Sequence, residues 1–332
     1  KIPVVFNFGK MPIANNFSKE VSKKNFYEMK IAFNKNNGVF QLVNAPKPKK
    51  LFNKNYAFLS STSNFMKDHF KKFANKIKKK YAKKNFAIME IGCNDGIFLE
   101  NFKNFDHLGV EPSKNVFDIS KSKKLKVINS FFNINLVNKK KLKNKFDIIY
   151  AANVICHIPD ILRLFKCVEI SLKKNGTFIF EEPYLGSMLE KTSYDQIYDE
   201  HFYMFSANSI KSIINGFNLR LINAEKIHTH GGSMRYYIQK TQSKRISYNL
   251  KKIFKYEKKI EITNIKTIKN FVKSCIDSKK RITKMVKNIT KKKIEIFGYG
   301  ATSKSTTILH FCNINYKMIA GIFDNTPTKI GK

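Results

Sequence analysis

The residue types best suited to chemistry lie in one short string, Tyr198-Asp-Glu-His201-Phe. An imidazole with a pKa near neutrality is the commonest general base. Glu200 beside it and Tyr198 three residues back could orient it or hydrogen-bond a substrate oxygen. A capped surface helix end is the plainer alternative. The surrounding run 184–206, dense in polar and aromatic groups without a clean period and placed after a predicted strand, favours the functional reading. A second imidazole, His157, sits in Ala151-Ala-Asn-Val-Ile-Cys-His-Ile-Pro159, just past another predicted strand. Ligands of open α/β sheets collect at such carboxyl ends, although a packed or helix-capping His ahead of Pro159 fits equally well. His230-Gly231-Gly232-Ser233 allows close backbone approach, or is a simple turn before a strand. In Gly298-Tyr299-Gly300-Ala301-Thr302-Ser303-Lys304 a strand leads into a helix through a turn without an acid. Its backbone N–H groups, hydroxyls and Lys304 suit a diphosphate.

A different ligand is suggested by residues 88–113. An apolar run, a tight turn at Gly92 and Gly96, a helical pattern and a second apolar run ending in Glu111 read as strand–turn–helix–strand. The turn carries Asp95, where a dinucleotide site brings bare backbone onto a pyrophosphate. An anionic side chain there repels phosphate and tolerates a cation. Glu111, about twenty residues past the turn, suits both ribose hydroxyls. A cationic, phosphate-free nucleoside such as S-adenosylmethionine (SAM), with its sulfonium, therefore fits better than NAD. No serine nucleophile elbow, Walker A loop or H-E-x-x-H string is present.

These residues need scaffolding, and the chain has the material for it. It has 332 residues, 42% of them hydrophobic and 30 of them Phe, ample for two or three domains with real cores. No apolar run approaches a membrane span, and the first residues lack the layout of a signal peptide. The net charge of +39 is nearly all Lys and spreads along the whole chain, with few Arg for bidentate phosphate or base contacts. It predicts no nucleic-acid partner and no membrane partner, but would attract an anionic substrate. Five Cys without a C-x-x-C pair argue against a disulfide framework and a Cys-based zinc site, and fit a reducing cytoplasm.

Along the chain, residues 1–50 read as a small loop-rich β arm and residues 60–84 as a helix. Strands are predicted near Phe86–Gly92, His107–Glu111, Leu125–Asn129, Asp147–Asn153 and Thr177–Glu181, alternating with helices: a parallel sheet covered on both faces. A helix near Ser209–Gly216, strands near Asn218–Lys226 and Ser233–Lys240, and two Lys-rich helices within 244–293 follow. The last is a second strand–turn–helix, Ile294–Cys312, with a strand at Met318–Phe323.

Taken together, these motifs resemble the SAM-dependent sugar C-methyltransferases that act on nucleotide-linked 4-keto-deoxyhexoses, of the tetronitrose-biosynthesis 3-C-methyltransferase type. The similarity covers almost the whole chain. It rests on Glu90-Ile-Gly-Cys-Asn-Asp-Gly96, Gly109-Val-Glu-Pro-Ser113, Ala151–Pro159, Glu181-Glu-Pro-Tyr-Leu-Gly186, Thr192–Phe202, His230-Gly-Gly-Ser-Met-Arg235 and the Gly298 turn. The long Y-D-x-I-Y-x-E-H-F string is the most specific. The resemblance implies an α/β fold in three parts: a zinc-binding-type arm (1–50), a Rossmann-like class I methyltransferase domain (51–240) and a Rossmann-like nucleotide-sugar-binding domain (241–332), here incomplete. It implies that His201 removes the proton at sugar C3 beside the C4 ketone, supported by Tyr198, Glu200 and His157. SAM would be held by Glu90, Gly92, Asn94, Asp95, Gly96, Glu111, Pro112, Ser113 and Asn153. The sugar nucleotide would be held by Tyr56, Tyr184, His230, Gly231, Arg235, Tyr299 and Lys304. Asn34 and Asn37 stand where the family has zinc-binding Cys, so structural zinc is not expected and no metal ligand is assigned. A monomer or weak homo-oligomer is expected. A non-catalytic binding protein on the same scaffold, or an RNA methyltransferase, are the alternative readings.

Overall fold

The computed structural model describes residues 2–17, 26–54, 56–324, 326 and 329–331. In chain order it contains β1 (Val4–Pro12), β2 (Phe26–Asn34), β3 (Val39–Val43), α1 (Pro48–Leu51), α2 (Asn64–Tyr81), β4 (Ala87–Ile91), β5 (Asp106–Glu111) and α3 (Lys114–Ser122). There follow β6 (Val127–Asn129), α4 (Ile134–Lys139), β7 (Phe146–Ala152), α5 (Ile161–Ser171), β8 (Leu172–Pro183), α6 (Leu185–Lys191), β9 (Tyr203–Met204) and α7 (Ala207–Ile213). The rest are β10 (Arg220–Ile227), β11 (Ser233–Gln239), α8 (Tyr248–Lys259), α9 (Ile265–Lys291), β12 (Phe297–Tyr299), α10 (Ser303–Phe311) and β13 (Gly321–Phe323).

Seven strands form the central sheet in the order β10-β11-β8-β7-β4-β5-β6. β4 through β8 are mutually parallel, while β11 runs antiparallel to both β8 and β10. The reason is visible in the strands themselves. β4 and β7 are buried along nearly their whole length, as continuous apolar runs require when helices cover both faces. α2 buries Phe70, Phe73, Ala74 and Ile77, one helical stripe, and is capped by Ser63, whose side chain accepts from the Met66 N–H. From β4 the chain winds outward to β6 and then returns to β7 beside β4. This reversal opens a crevice at the carboxyl ends of the strands.

The N-terminal strands form an antiparallel sheet in the order β1-β2-β3-β9. Its fourth strand is thus borrowed from the segment immediately after His201. The hairpin between β2 and β3 is closed by Asn34 and Asn37, whose side chains accept from the N–H groups of Asn36 and Val39 at 3.0 and 3.1 Å. Its core (Phe8, Met29, Phe33, Phe40) packs against α6, the turn Tyr194–Gln196, Phe271 and Cys275 of α9, and Phe311 of α10. α8 places Leu250 and Ile253 in the core of the large sheet instead. The terminal unit is a parallel pair, β12 and β13, spanned by α10. No helix among the described residues is long and apolar enough to cross a membrane.

One charged network lies inside the fold. Glu181, at the end of β8, accepts from Arg235 Nε at 2.7 Å and Tyr150 Oη at 2.9 Å, and pairs with His69 at 2.6 Å. Arg235 also reaches Glu225 and lies over the Phe73 ring, 3.6 Å from its centroid. Removing one partner of such a buried pair leaves the other uncompensated. Arg235→Ala should therefore cost about 3–5 kcal/mol, read as a lower urea midpoint. An unchanged midpoint would show that the network is not structurally important.

Candidate active site

The acidic turn after β4 is built by two glycines at left-handed φ. Gly92 (φ 66°) lies so close to Val154 that a Cβ would come within 2.5 Å of its side chain, and Gly96 (φ 81°) is likewise closed in by Leu125. Between them Asn94 (φ 48°) donates its N–H to Glu111 at 2.9 Å, and the second Glu111 oxygen accepts from the Ser113 N–H at 2.8 Å. Segment 56–61 is strapped over this turn. Ser60 and Ser61 donate N–H groups to Asn94 and Asp95 at 3.0 and 2.9 Å, and Asn115 holds the Tyr56 carbonyl at 2.8 Å. Pro112 accepts from the Asn129 side chain.

Three carboxyl groups, Glu90, Asp95 and Glu111, are thus buried together. One oxygen of Glu90 and one of Asp95 have no partner. Burial, then the neighbouring acids, push the Glu90 carboxyl far above the usual range; burial also raises Glu111 against its two backbone hydrogen bonds. Acceptor oxygens without donors, in a cluster of carboxyls with no cation beside it, fit a cationic ligand rich in hydroxyl and amino groups and disfavour a phosphate. The residues present fit SAM.

The second cluster surrounds His201. Its Nδ1 lies 2.7 Å from the Gln196 carbonyl and its Nε2 lies 2.8 Å from the Tyr198 hydroxyl. A carbonyl only accepts, so the proton is on Nδ1, and Nε2 keeps a lone pair toward Tyr198. Burial, then His157, hold the imidazole well below its ordinary pKa, so it is neutral. The His157 ring stacks between Phe52 and His201, with centroids 5.4 and 5.3 Å away, and burial lowers it to about 3. Glu200 accepts from Asn15 at 2.6 Å and lies 3.5 Å from the Tyr56 hydroxyl; burial, then Asp199, raise it to about 8. His230 (φ 50°) faces the Asn153 side chain at 3.2 Å. Its carbonyl receives Gln196 Nε2 at 2.6 Å and Lys304 Nζ at 3.3 Å, while the Gly231 carbonyl receives Lys191.

The structure therefore gathers Glu90, Gly92, Asn94, Asp95, Gly96, Glu111, Pro112 and Ser113 at one turn. It brings Tyr198, Glu200, His201, His157, Tyr56, Asn153, His230, Gly231 and Lys304 into a neighbouring set of contacts. Three expected acceptor contacts lie elsewhere. Tyr184 is buried in the core and donates to Glu257 at 3.0 Å. Arg235 is spent on Glu181 and Glu225, and Tyr299 is 94% exposed on β12. The Gly298 turn is also satisfied internally. Asp324 accepts the Ala301 N–H at 2.9 Å, Thr302 and Ser305 cap α10 reciprocally, and Ser303 bonds Asn15. No phosphate group is needed to satisfy it.

Some residues escaped the sequence reading. Glu182 takes the N–H groups of Val154, Ile155 and Cys156 at 2.9, 2.6 and 3.3 Å, and so shapes the turn that carries His157. Gln196 holds His201 from one side and His230 from the other. Asn15 links Glu200 to Ser303. Glu182 and Gln196 lie inside the motif strings quoted above, which was the available signal; nothing in the local sequence marks Asn15.

A strand-end site of this kind, with acids at the first turn and no phosphate cradle, defines a class I methyltransferase. The comparisons agree. Residues 58–224 match the family described as "Methyltransferase domain", and residues 228–332 match the "C-methyltransferase C-terminal domain". The chain belongs to the SAM-dependent methyltransferase family, and its residues 228–332 are similar to the C-terminal domain of C-methyltransferases. It is 22% identical over 336 aligned positions to the C-methyltransferase NovU of Streptomyces niveus, covering 99% of this chain and 80% of the relative. Among solved structures, a SAM-dependent methyltransferase of Thermotoga maritima has a TM-score of 0.41 at 19% identity, covering 53% of this chain and 92% of that one. The CurJ carbon methyltransferase has a TM-score of 0.41 at 12% identity, covering 53% and 54%.

Two outcomes are expected. Asp95→Ala and Glu111→Ala should each weaken SAM about 10–100-fold, as loss of a hydrogen bond involving a charged group does; isothermal titration giving wild-type affinity in both would remove these acids from the site. The second concerns pH. Glu200 binds its proton more tightly folded (about 8) than unfolded (4.5), so its stabilisation is complete below about 4.5 and is lost as pH rises through about 8. Between about pH 4.5 and 8 the melting temperature should fall as pH rises, and Glu200→Gln should flatten that slope. An unaltered slope in the variant would mean that Glu200 ionises normally.

Proposed function

We propose that the enzyme methylates a carbon next to the ketone of a nucleotide-linked 4-keto-deoxy sugar, at C3, with His201 as the base. The observation that carries this reading is the His201 tautomer: Nδ1–H anchored on the Gln196 carbonyl, with the Nε2 lone pair held toward Tyr198. A neutral imidazole in a buried setting is ready to take a proton that a neighbouring ketone has acidified.

In this mechanism the C3–H proton passes to His201 Nε2, and its bonding pair becomes the enolate. The Tyr198 hydroxyl, released from Nε2 as the imidazole protonates, can donate to the developing enolate oxygen, with Tyr56 as a second candidate donor. Glu200, braced by Asn15, sets the backbone just before the base. SAM, which Glu90, Asp95 and Glu111 at the turn after β4 would hold, would supply the methyl group to the enolate carbon, with its sulfur departing as the neutral thioether of S-adenosylhomocysteine. The protein contributes proximity between the two bound partners. The contacts of Lys304 with the His230 carbonyl and of Ser303 with Asn15 support a role for the unit 241–332 in covering the acceptor, beside the arm 1–50 and the SAM domain 51–240. The Lys-rich surface supports an anionic, nucleotide-linked acceptor. All five Cys are free and buried, which suits a cytoplasmic enzyme.

The direct test incubates the protein with SAM and a panel of nucleotide-linked 4-ketohexoses, and looks for the mass gain of one methylation. His201→Ala should lower turnover at least ~100-fold and leave SAM affinity nearly unchanged. Deuterium exchange at the α-carbon without SAM should vanish in the same variant. A variant with near-normal turnover would end the assignment of His201 as base.

A further inference from the structure

His201 belongs to a second constellation that proton transfer does not require. Cys156, His157 and His201 are all buried, and one ligand-type atom from each lies within 4.8 Å of the other two. His157 Nε2 is buried without any hydrogen-bond partner, although the residue is only 9% exposed. The sequence hides this group, because Cys156 and His157 lie on the turn after β7 while His201 arrives just before β9. The backbone bond from the Phe202 N–H to the Cys156 carbonyl, 2.8 Å, fixes the two segments together.

We infer that Cys156, His157 and His201 form a binding site for a thiophilic divalent cation, Zn²⁺ in the first instance, and that its occupation inhibits the enzyme. The donor set is one thiolate and two imidazoles, a combination that Zn²⁺ accepts in tetrahedral sites with a fourth position left open. Zinc–ligand distances of about 2.0–2.3 Å need the ligand atoms to draw in by roughly 1 Å, a side-chain adjustment. Binding is balanced by proton release: the Cys156 thiol gives up its proton, and the metal takes the sulfur, an imidazole lone pair of His157 and the Nε2 lone pair of His201. Tyr198 then loses its acceptor. The lone pair that would remove the substrate proton is the one the metal occupies, so metal and deprotonation exclude each other. Glu182, which holds the turn carrying Cys156 and His157, keeps two of the ligands in place.

The test uses the full chain, freed of metal by a chelator, and Co²⁺ as a spectroscopic stand-in for Zn²⁺. Wild type should develop a thiolate-to-cobalt absorption band at one equivalent, abolished by Zn²⁺. Cys156→Ala should lose the band and bind Co²⁺ at least ~100-fold more weakly, more than loss of an outer contact costs. Cys156 takes no part in the proposed proton transfer, so this variant should keep basal methylation while losing its sensitivity to Zn²⁺. No band in wild type, or equal Zn²⁺ inhibition of wild type and Cys156→Ala, would overturn the site. The cobalt band is read without substrate, so it stands or falls independently of the acceptor proposed above.

Discussion

Gln196 is the residue on which the assembled site hangs. Its carbonyl takes the Nδ1 proton of His201, and its side-chain amide binds the carbonyl of His230, which also receives Lys304. One residue thus decides which imidazole nitrogen is free, where the turn before β11 lies and how α10 approaches. Burial makes the arrangement strict. A polar group in such a place must find a partner or bear a desolvation cost of a few kcal/mol, so each bond made there limits where its neighbours can go.

The two halves of the site use burial in opposite ways. Around the turn after β4, acids are packed together without a cation, which makes Glu90 and Glu111 hold a proton more tightly and leaves acceptors facing inward. Around His201, imidazoles are stripped of charge and stacked on one another. The first arrangement suits a ligand that brings positive charge; the second suits a base that must begin neutral. Each is completed by a distant segment: 56–61 for the acids, and Ala14–Asn15 for Asp199 and Glu200.

How far the sequence could foretell this follows the range of the contacts. The strands of the central sheet are legible as apolar runs, and the Gly92–Gly96 turn and the Tyr198–His201 contact are local enough to read directly. The antiparallel order of β10, β11 and β8 is not, because it depends on pairing among residues far apart. Tyr184 and Arg235 looked like ligand contacts because they are polar groups within characteristic strings. Their partners, Glu257 and Glu181, lie 73 and 54 residues away, and only the fold shows that both side chains are already occupied. The Gly298 turn misled for the same reason, since Asp324 supplies the anion from the far end of β13.

The pairing of β3 with β9 reaches beyond architecture. Gln41 meets Tyr203 two residues after His201, so the N-terminal sheet cannot gain its last strand until the whole central domain up to β8 has been laid down between them. Contacts of such sequence separation form late, since the entropy of closing the loop must be met first. During synthesis the first three strands therefore wait with an open edge. The segment carrying His201 is fixed in place as that edge closes, so its surroundings mature only in a chain whose fold is already committed.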